Sequence, residues 1–311
     1  MWHGKIDAGA RARARSFTFL MRFSVPALIL AWAAGDWAAG DWAAGPWTDT
    51  IAAKGAATNL QAIAKISQSR MFRWRDAKGT LLSGPQNETL SNNWSGYGIN
   101  GGGNYTAMQG TWTVPAVSYQ SYSGSPDVEA SSTWIGVGGQ DSDETLIQIG
   151  TMQAAAPDGS TEYFAWYEVL PDTEVPISRK QYPVKPGDTI TATIQCTAAC
   201  APYALSTWVL TLTNAGKWPQ PYTITLQYAS SLTSVEWIME GPCIKDCGSS
   251  SPGFAYMPNF GSTTFSAISV NNATPKLARS PNGIIMRDPN GNAMSMPSDP
   301  NGNSFTVNFT I

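Results

Sequence analysis

VEWIMEGP, residues 235–242, decides how this chain is read. In an extended strand successive side chains point to opposite faces. Glu236, Ile238 and Glu240 therefore fall on one side, Trp237 and Met239 on the other. A glutamate sharing a strand face with an isoleucine sits either at a rim or in a cleft that needs a carboxylate. Glu236 and Glu240 would be ~13 Å apart on a regular strand, too far to share a proton. A chemical partner for Glu240 must come from another strand. TLIQIG, residues 145–150, supplies one, because Gln148 is a lone amide in an apolar run. A Glu and a Gln facing each other across a sheet make an acid/base and an amide donor.

Outward from these two stretches, the sequence alternates from Asn93 to Ile311 and is rich in Gly, Ser, Thr and Asn. About a dozen short strands without convincing helices predict an all-β fold of two packed antiparallel sheets, a β-sandwich or jelly roll. The expected strands begin at residues 93–99 and 105–114, and the last three cover 254–259, 262–270 and 304–311. Three aromatic and polar clusters, NNWSGYG (92–98), STWIGVGG (132–139) and FAWYEVLP (164–171), suggest a tryptophan-lined groove on one sheet face. Trp94, Trp134 and Trp166 are its candidate walls. Glu168 resembles Glu240 in being a lone carboxylate in an apolar strand.

Charge divides the chain in two. Residues 1–91 carry 11 Lys+Arg against 6 Asp+Glu, whereas residues 92–311 carry 8 against 16. An acidic body with few charges argues against nucleic-acid binding by that body. The only histidine is His3. A body without histidine excludes Ser-His-Asp and Cys-His catalysis and His-ligated zinc, and it suits work below about pH 6, under the ordinary histidine pKa. No metal and no cofactor is expected. The cysteines form two close pairs, Cys196/Cys200 and Cys243/Cys247. In an exported protein these become local disulfides; metal binding by the pairs is the alternative.

Residues 1–46 read as a signal peptide, starting at Met1 or Met21, followed by a low-complexity AAGDWAAGDWAAG linker. Residues 47–91 read as a basic, propeptide-like segment. Its alanine-rich part, 49–69, has helical spacing, and Arg70, Arg73, Arg75 and Lys78 surround Phe72 and Trp74. That patch could bind RNA. More simply it covers the acidic body, held by charge until processing or low pH releases it. Residues 92–311 form the catalytic domain.

The order of the motifs carries more than any one of them. NWSGY, TWTVP, WIGVGG, LIQIG, AWYEVLP and EWIMEGP follow one another between residues 93 and 242. This succession resembles the glutamic peptidases, the eqolisin family. The resemblance implies two antiparallel sheets with a concave substrate groove and a Gln/Glu catalytic dyad. Matched by motif, the dyad falls on Gln148 and Glu240, with Glu236, Trp134, Trp166, Trp94 and Glu168 supporting substrate binding. One departure is Gly138, where fungal members carry Asp; Asp141 or Asp143 could replace it. The implied protein is a secreted, monomeric, acid-acting endopeptidase. It would take protein or peptide substrates and have no stable membrane association after processing. The rival is a carbohydrate-binding or glycan-cleaving jelly roll using Glu168 and Glu240.

Overall fold

The computed structural model describes residues 67–311, apart from Gly102, residues 122–127, 141–142, Gly248 and Ser251. The readings of residues 1–66 as signal, linker and helix-spaced segment lie outside the described residues, as does Asp141.

Strand follows strand through the body: β1 (Thr89–Ser91), β2 (Trp94–Asn100), β3 (Ala107–Thr113), β4 (Glu129–Gly138), β5 (Leu146–Ala155), β6 (Thr161–Val169) and β7 (Val175–Pro176). Then come β8 (Thr189–Ala198), β9 (Ser206–Asn214), β10 (Tyr222–Tyr228), β11 (Ser234–Glu240), β12 (Cys243–Lys245), β13 (Gly253–Phe254) and β14 (Ser262–Val270). A single helical turn, Arg279–Asn282, precedes β15 (Gly283–Arg287), β16 (Ala293–Pro297) and β17 (Phe305–Phe309). Short connections favour antiparallel neighbours, and that is the pairing throughout, except that β1 runs parallel to β15.

Hydrogen bonding joins the strands in the order β10-β9-β8-β3-β14-β17-β16-β15-β2-β11-β4-β5-β6-β7. The path doubles over so that its two halves face each other across one core. Trp112, Ile190, Ile194, Trp208 and Leu210 come from one half. They pack with Ile135, Ile147, Ile149, Trp237 and Met239 from the other. Two indoles also tie the halves by hydrogen bonds. Trp237 Nε1 donates to the Gln109 carbonyl at 2.8 Å, and Trp112 Nε1 donates to Thr151 at 3.1 Å. Gly110 is required here, since a Cβ at that position would stand 2.7 Å from the Trp237 ring.

Two expectations need correction. Residues 254–259 do not continue as a strand; only β13 forms, paired with β12 in a separate two-stranded piece. Ser67–Ser69 is extended, with Ser67 bridged to Cys243, and so departs from the helical spacing read over 49–69. The reason is tertiary: Ser67 finds backbone partners in Cys243 in both directions, at 3.0 and 2.8 Å. Both cysteine pairs close as local disulfides, Cys196–Cys200 and Cys243–Cys247.

Candidate active site

On β11 every residue is buried, so both faces are covered. Val235, Trp237 and Met239 enter the core between the sheets. The opposite face carries Glu236, Ile238 and Glu240, as alternation predicts. There the strand lies under a second apolar layer containing Trp94, Trp134, Trp166, Leu146, Met152 and Phe164. Glycines make room for this layer. A Cβ on Gly150 would sit 2.4 Å from the Trp134 Cβ, and one on Gly136 would sit 2.8 Å from its ring. Trp134 can therefore lie across the sheet, with its ring 4.9 Å from that of Trp94.

The register fixes two rungs of polar chemistry on this face. Glu236 stands level with Gly136, Gln148 and Glu168, and Glu240 stands level with Ser132, Met152 and Phe164. Gln148 and Glu240 thus share a face but are offset along it. They do not touch as a direct pair, which corrects the expectation that they face each other. The Gln148 amide instead donates to Glu168 Oε2 at 2.7 Å. Glu240 receives Trp134 Nε1 at 2.9 Å on one oxygen and Asn93 Nδ2 at 3.3 Å on the other.

The gap between these two groups is filled by residues 67–71, part of the segment ahead of β1 that we call the leader. Ser67 Oγ donates to Glu168 Oε1 at 2.6 Å. Ser69 donates both its backbone N–H, at 3.1 Å, and its hydroxyl, at 3.2 Å, to Glu240 Oε1. The Ser69 carbonyl accepts from Trp94 Nε1 at 3.0 Å, and Met71 joins the tryptophan layer. An extended peptide backbone therefore lies from the Gln148–Glu168 pair to Glu240. Trp94, Trp134 and Trp166 are wholly buried in consequence.

Neutral groups make this contact. Arg70 stacks over Phe72 at 5.0 Å and Arg75 donates to the Gly79 carbonyl, both within the leader. At the carboxyls of the site, serine, glutamine and backbone groups do the holding, while further along the same segment Glu88 pairs with Arg279 of the body at 2.7 Å.

Enclosure raises the carboxyl pKa values. Burial pushes Glu168 up to about 8, with a smaller contribution from the charge of Glu174. Glu240 is raised well above its ordinary value by burial and then by the charge of Glu168. Glu236 is raised in the same direction, mainly by burial, and receives Gln140 Nε2 at 2.9 Å. Glu236 thus belongs to a different local network from Glu240.

Three residues in the site escaped the sequence reading. Asn93 is wholly buried, and its amide reaches Glu240, Ser69 and the Arg70 carbonyl while its oxygen accepts from Phe72 N–H. It lies beside Trp94 in the same motif, and that adjacency was the available signal. Ser69 and Gln68 belong to a leader whose arginines drew attention away from them. Gly138 explains its own departure from the fungal pattern. It has φ +95° and would place a Cβ 2.2 Å from the Thr145 carbonyl, so no side chain fits. Asp143 does not take over a role beside Gln148; its oxygens accept from Thr145, Ser231 and Thr233.

A two-sheet fold with a buried glutamate, a neighbouring glutamine and a peptide laid across them defines a class of peptide-bond hydrolase. The sequence profile of the peptidase A4 family matches residues 92–309, and the chain belongs to that family. It is a glutamic-type endopeptidase. It is 28% identical over 242 residues to aspergillopepsin-2 of Aspergillus niger, across 73% of this chain and 81% of that protein. Its fold is similar to scytalido-glutamic peptidase with a transition state analog inhibitor (TM-score 0.56, 20% identity, 70% of this chain and 98% of the other). It is also similar to SCP-B, an eqolisin family member in complex with the tripeptide Ala-Ile-His (TM-score 0.52, 20% identity, 70% and 98% covered). The carbohydrate alternative falls with the family assignment.

Proposed function

We infer that this chain is the precursor of an exported endopeptidase acting in acid, with Glu240 as general base and Gln148 as oxyanion donor. The observation that carries the reading is the leader itself: a peptide backbone already lies between the two groups, its Ser69 N–H on Glu240. Glu240 takes a proton from a water, which attacks the scissile carbonyl, and returns it to the leaving amine. Gln148 has two amide hydrogens. One is held by Glu168, which positions the amide and leaves the other for the oxyanion. Trp134 and Asn93 hold the Glu240 carboxyl from both sides. With the leader gone, water re-enters and relieves the desolvation that raises the Glu240 pKa, so the carboxyl ionises at lower pH than in the closed form.

Export is supported by the basic, apolar start of the sequence and by the two disulfides. Residues 1–46 would be the signal and linker, 47–91 the propeptide and 92–311 the mature domain. That domain would work as a monomer without stable membrane association. The test is hydrolysis of denatured casein near pH 4 by wild type, Gln148→Ala and Glu240→Gln, with pepstatin present to silence contaminating aspartic peptidases. Wild-type cleavage lost in both variants is the expected result. Undiminished cleavage by Glu240→Gln would overturn the assignment.

A further inference from the structure

Next to the dyad, the leader leaves the imprint of one side chain. Gln68 follows Ser67 and precedes Ser69, and it is only 1% exposed. Its amide Nε2 donates to Glu174 Oε2 at 2.8 Å. Glu174 lies in the connection from β6 into β7. It is tethered there because Val175 and Pro176 pair with Tyr167 and Trp166. The residue is partly exposed as a whole, but its carboxyl is enclosed with the Gln68 amide. Nothing in the family motifs points to it, and it lies in PDTEVP, which reads as a turn.

We propose that Glu174 is the floor of a substrate subsite that selects a primary carboxamide side chain, glutamine, immediately before the cleaved bond. The proposal rests on the peptidase reading above. Ser69 N–H lies 3.1 Å from Glu240, where the mechanism needs the leaving nitrogen, so Gln68 marks the residue on the acyl side. The second observation is Gln68 Oε1, which is buried and makes no hydrogen bond. A protonated carboxyl and a primary amide are complementary: the amide N–H donates to the acid carbonyl, and the acid O–H donates to the amide oxygen. The first bond is present, and a protonated Glu174 supplies the second. Burial pushes the Glu174 carboxyl up to about 8, so it holds that proton throughout the acid range. Glu168 is the titratable neighbour that faces it, and it too is raised to about 8 by burial. Leucine would leave the Glu174 carboxyl without a partner. Lysine would bury an ammonium against a neutral acid. Both are costly in an enclosed site.

The test uses full-length protein after acid processing and peptides differing only before the cleaved bond, which mass spectrometry identifies. Wild type at pH 4 should show kcat/KM for Gln over Leu and over Lys of about tenfold, one recovered buried hydrogen bond. Glu174→Leu should erase that preference, bringing kcat/KM for the Gln peptide down to that for the Leu peptide. Glu174→Gln, which can still pair with an amide, should keep it. An unchanged preference in Glu174→Leu, or none in wild type, would overturn the subsite. If wild type cuts no peptide at all, the peptidase reading itself fails and the subsite with it.

Discussion

The two halves of the sandwich treat their outer faces in opposite ways. On β8 and β9 burial alternates, with Ile190, Ala192, Ile194, Trp208, Leu210 and Leu212 inward and threonines outward. Those threonines pair across strands, Thr111 with Thr191 at 2.8 Å and Thr211 with Thr223 at 3.3 Å. On β4, β5 and β11 every residue is buried, because the outer face carries tryptophans, glutamates and glycines beneath the leader. One sheet is built as an antiparallel sheet with a wet side. The other holds carboxyls where water has been removed. Stability and chemistry are thus divided between the halves, and substitutions should respect that division.

The largest effect is expected at Glu240. Glu240→Gln should lower peptide turnover by about 10²–10⁴, the usual weight of general-base catalysis, with the circular dichroism of the fold unchanged. Gln148→Ala comes next, at about 10²–10³ in kcat for one oxyanion donor, measured on the same peptide. Glu236→Gln should cost far less turnover than either, since Glu236 is bonded to Gln140 and not to the leader.

Packing gives the next step down. Gly150→Ala forces a Cβ to 2.4 Å from Trp134 and 2.5 Å from the Thr133 carbonyl. Overpacking of this kind costs about 1–3 kcal/mol, to be read from a urea midpoint. On the wet face, Thr193→Ala should stay within about 0.5 kcal/mol. An equal loss at Thr193 would break the contrast between the halves.

Proton linkage adds a direction. Glu168 and Glu174 are pushed up to about 8 from an ordinary 4.5, and Glu236 and Glu240 are raised as well. The closed form therefore binds more protons than the unfolded chain. Its stability is full below about pH 4.5 and declines as pH rises toward about 8. Denaturant midpoints of the full-length protein at pH 4 and pH 8 should show the fall. The same sign speaks against release of the leader by acid alone, since acid tightens the closure.

Much of this was legible beforehand because strand alternation is a local signal. VEWIMEGP gave its two faces without any tertiary knowledge, and the threonine-rich strands did likewise. The strands β15 and β16 were not legible. GIIMR and AMSMP are five residues each, too short for alternation to show, and AMSMP carries two methionines and a proline in place of β-branched residues. Their place is set by neighbours: β15 pairs with β16 and β2, and β16 with β17. Within the site, Gln148, Glu240, Glu168 and the tryptophans stood out as polar or aromatic exceptions in apolar strands. Ser69, Gln68 and Glu174 did not, because their significance exists only where the leader crosses the sheet. The offset between Gln148 and Glu240 was equally hidden, since register is a property of the paired strands.

The stretch that joins residues 67–71 to β1 lies open to solvent. From Ala77 to Asn87 nearly every residue is exposed, between Met71, locked in the tryptophan layer, and Thr89–Ser91, locked against β15. While the chain is whole, residues 67–71 act at an effective concentration in the millimolar range typical of short tethers. One cut in that stretch turns an intramolecular contact into a bimolecular one. Occupancy would then follow mass action, and simple dilution would drain the site.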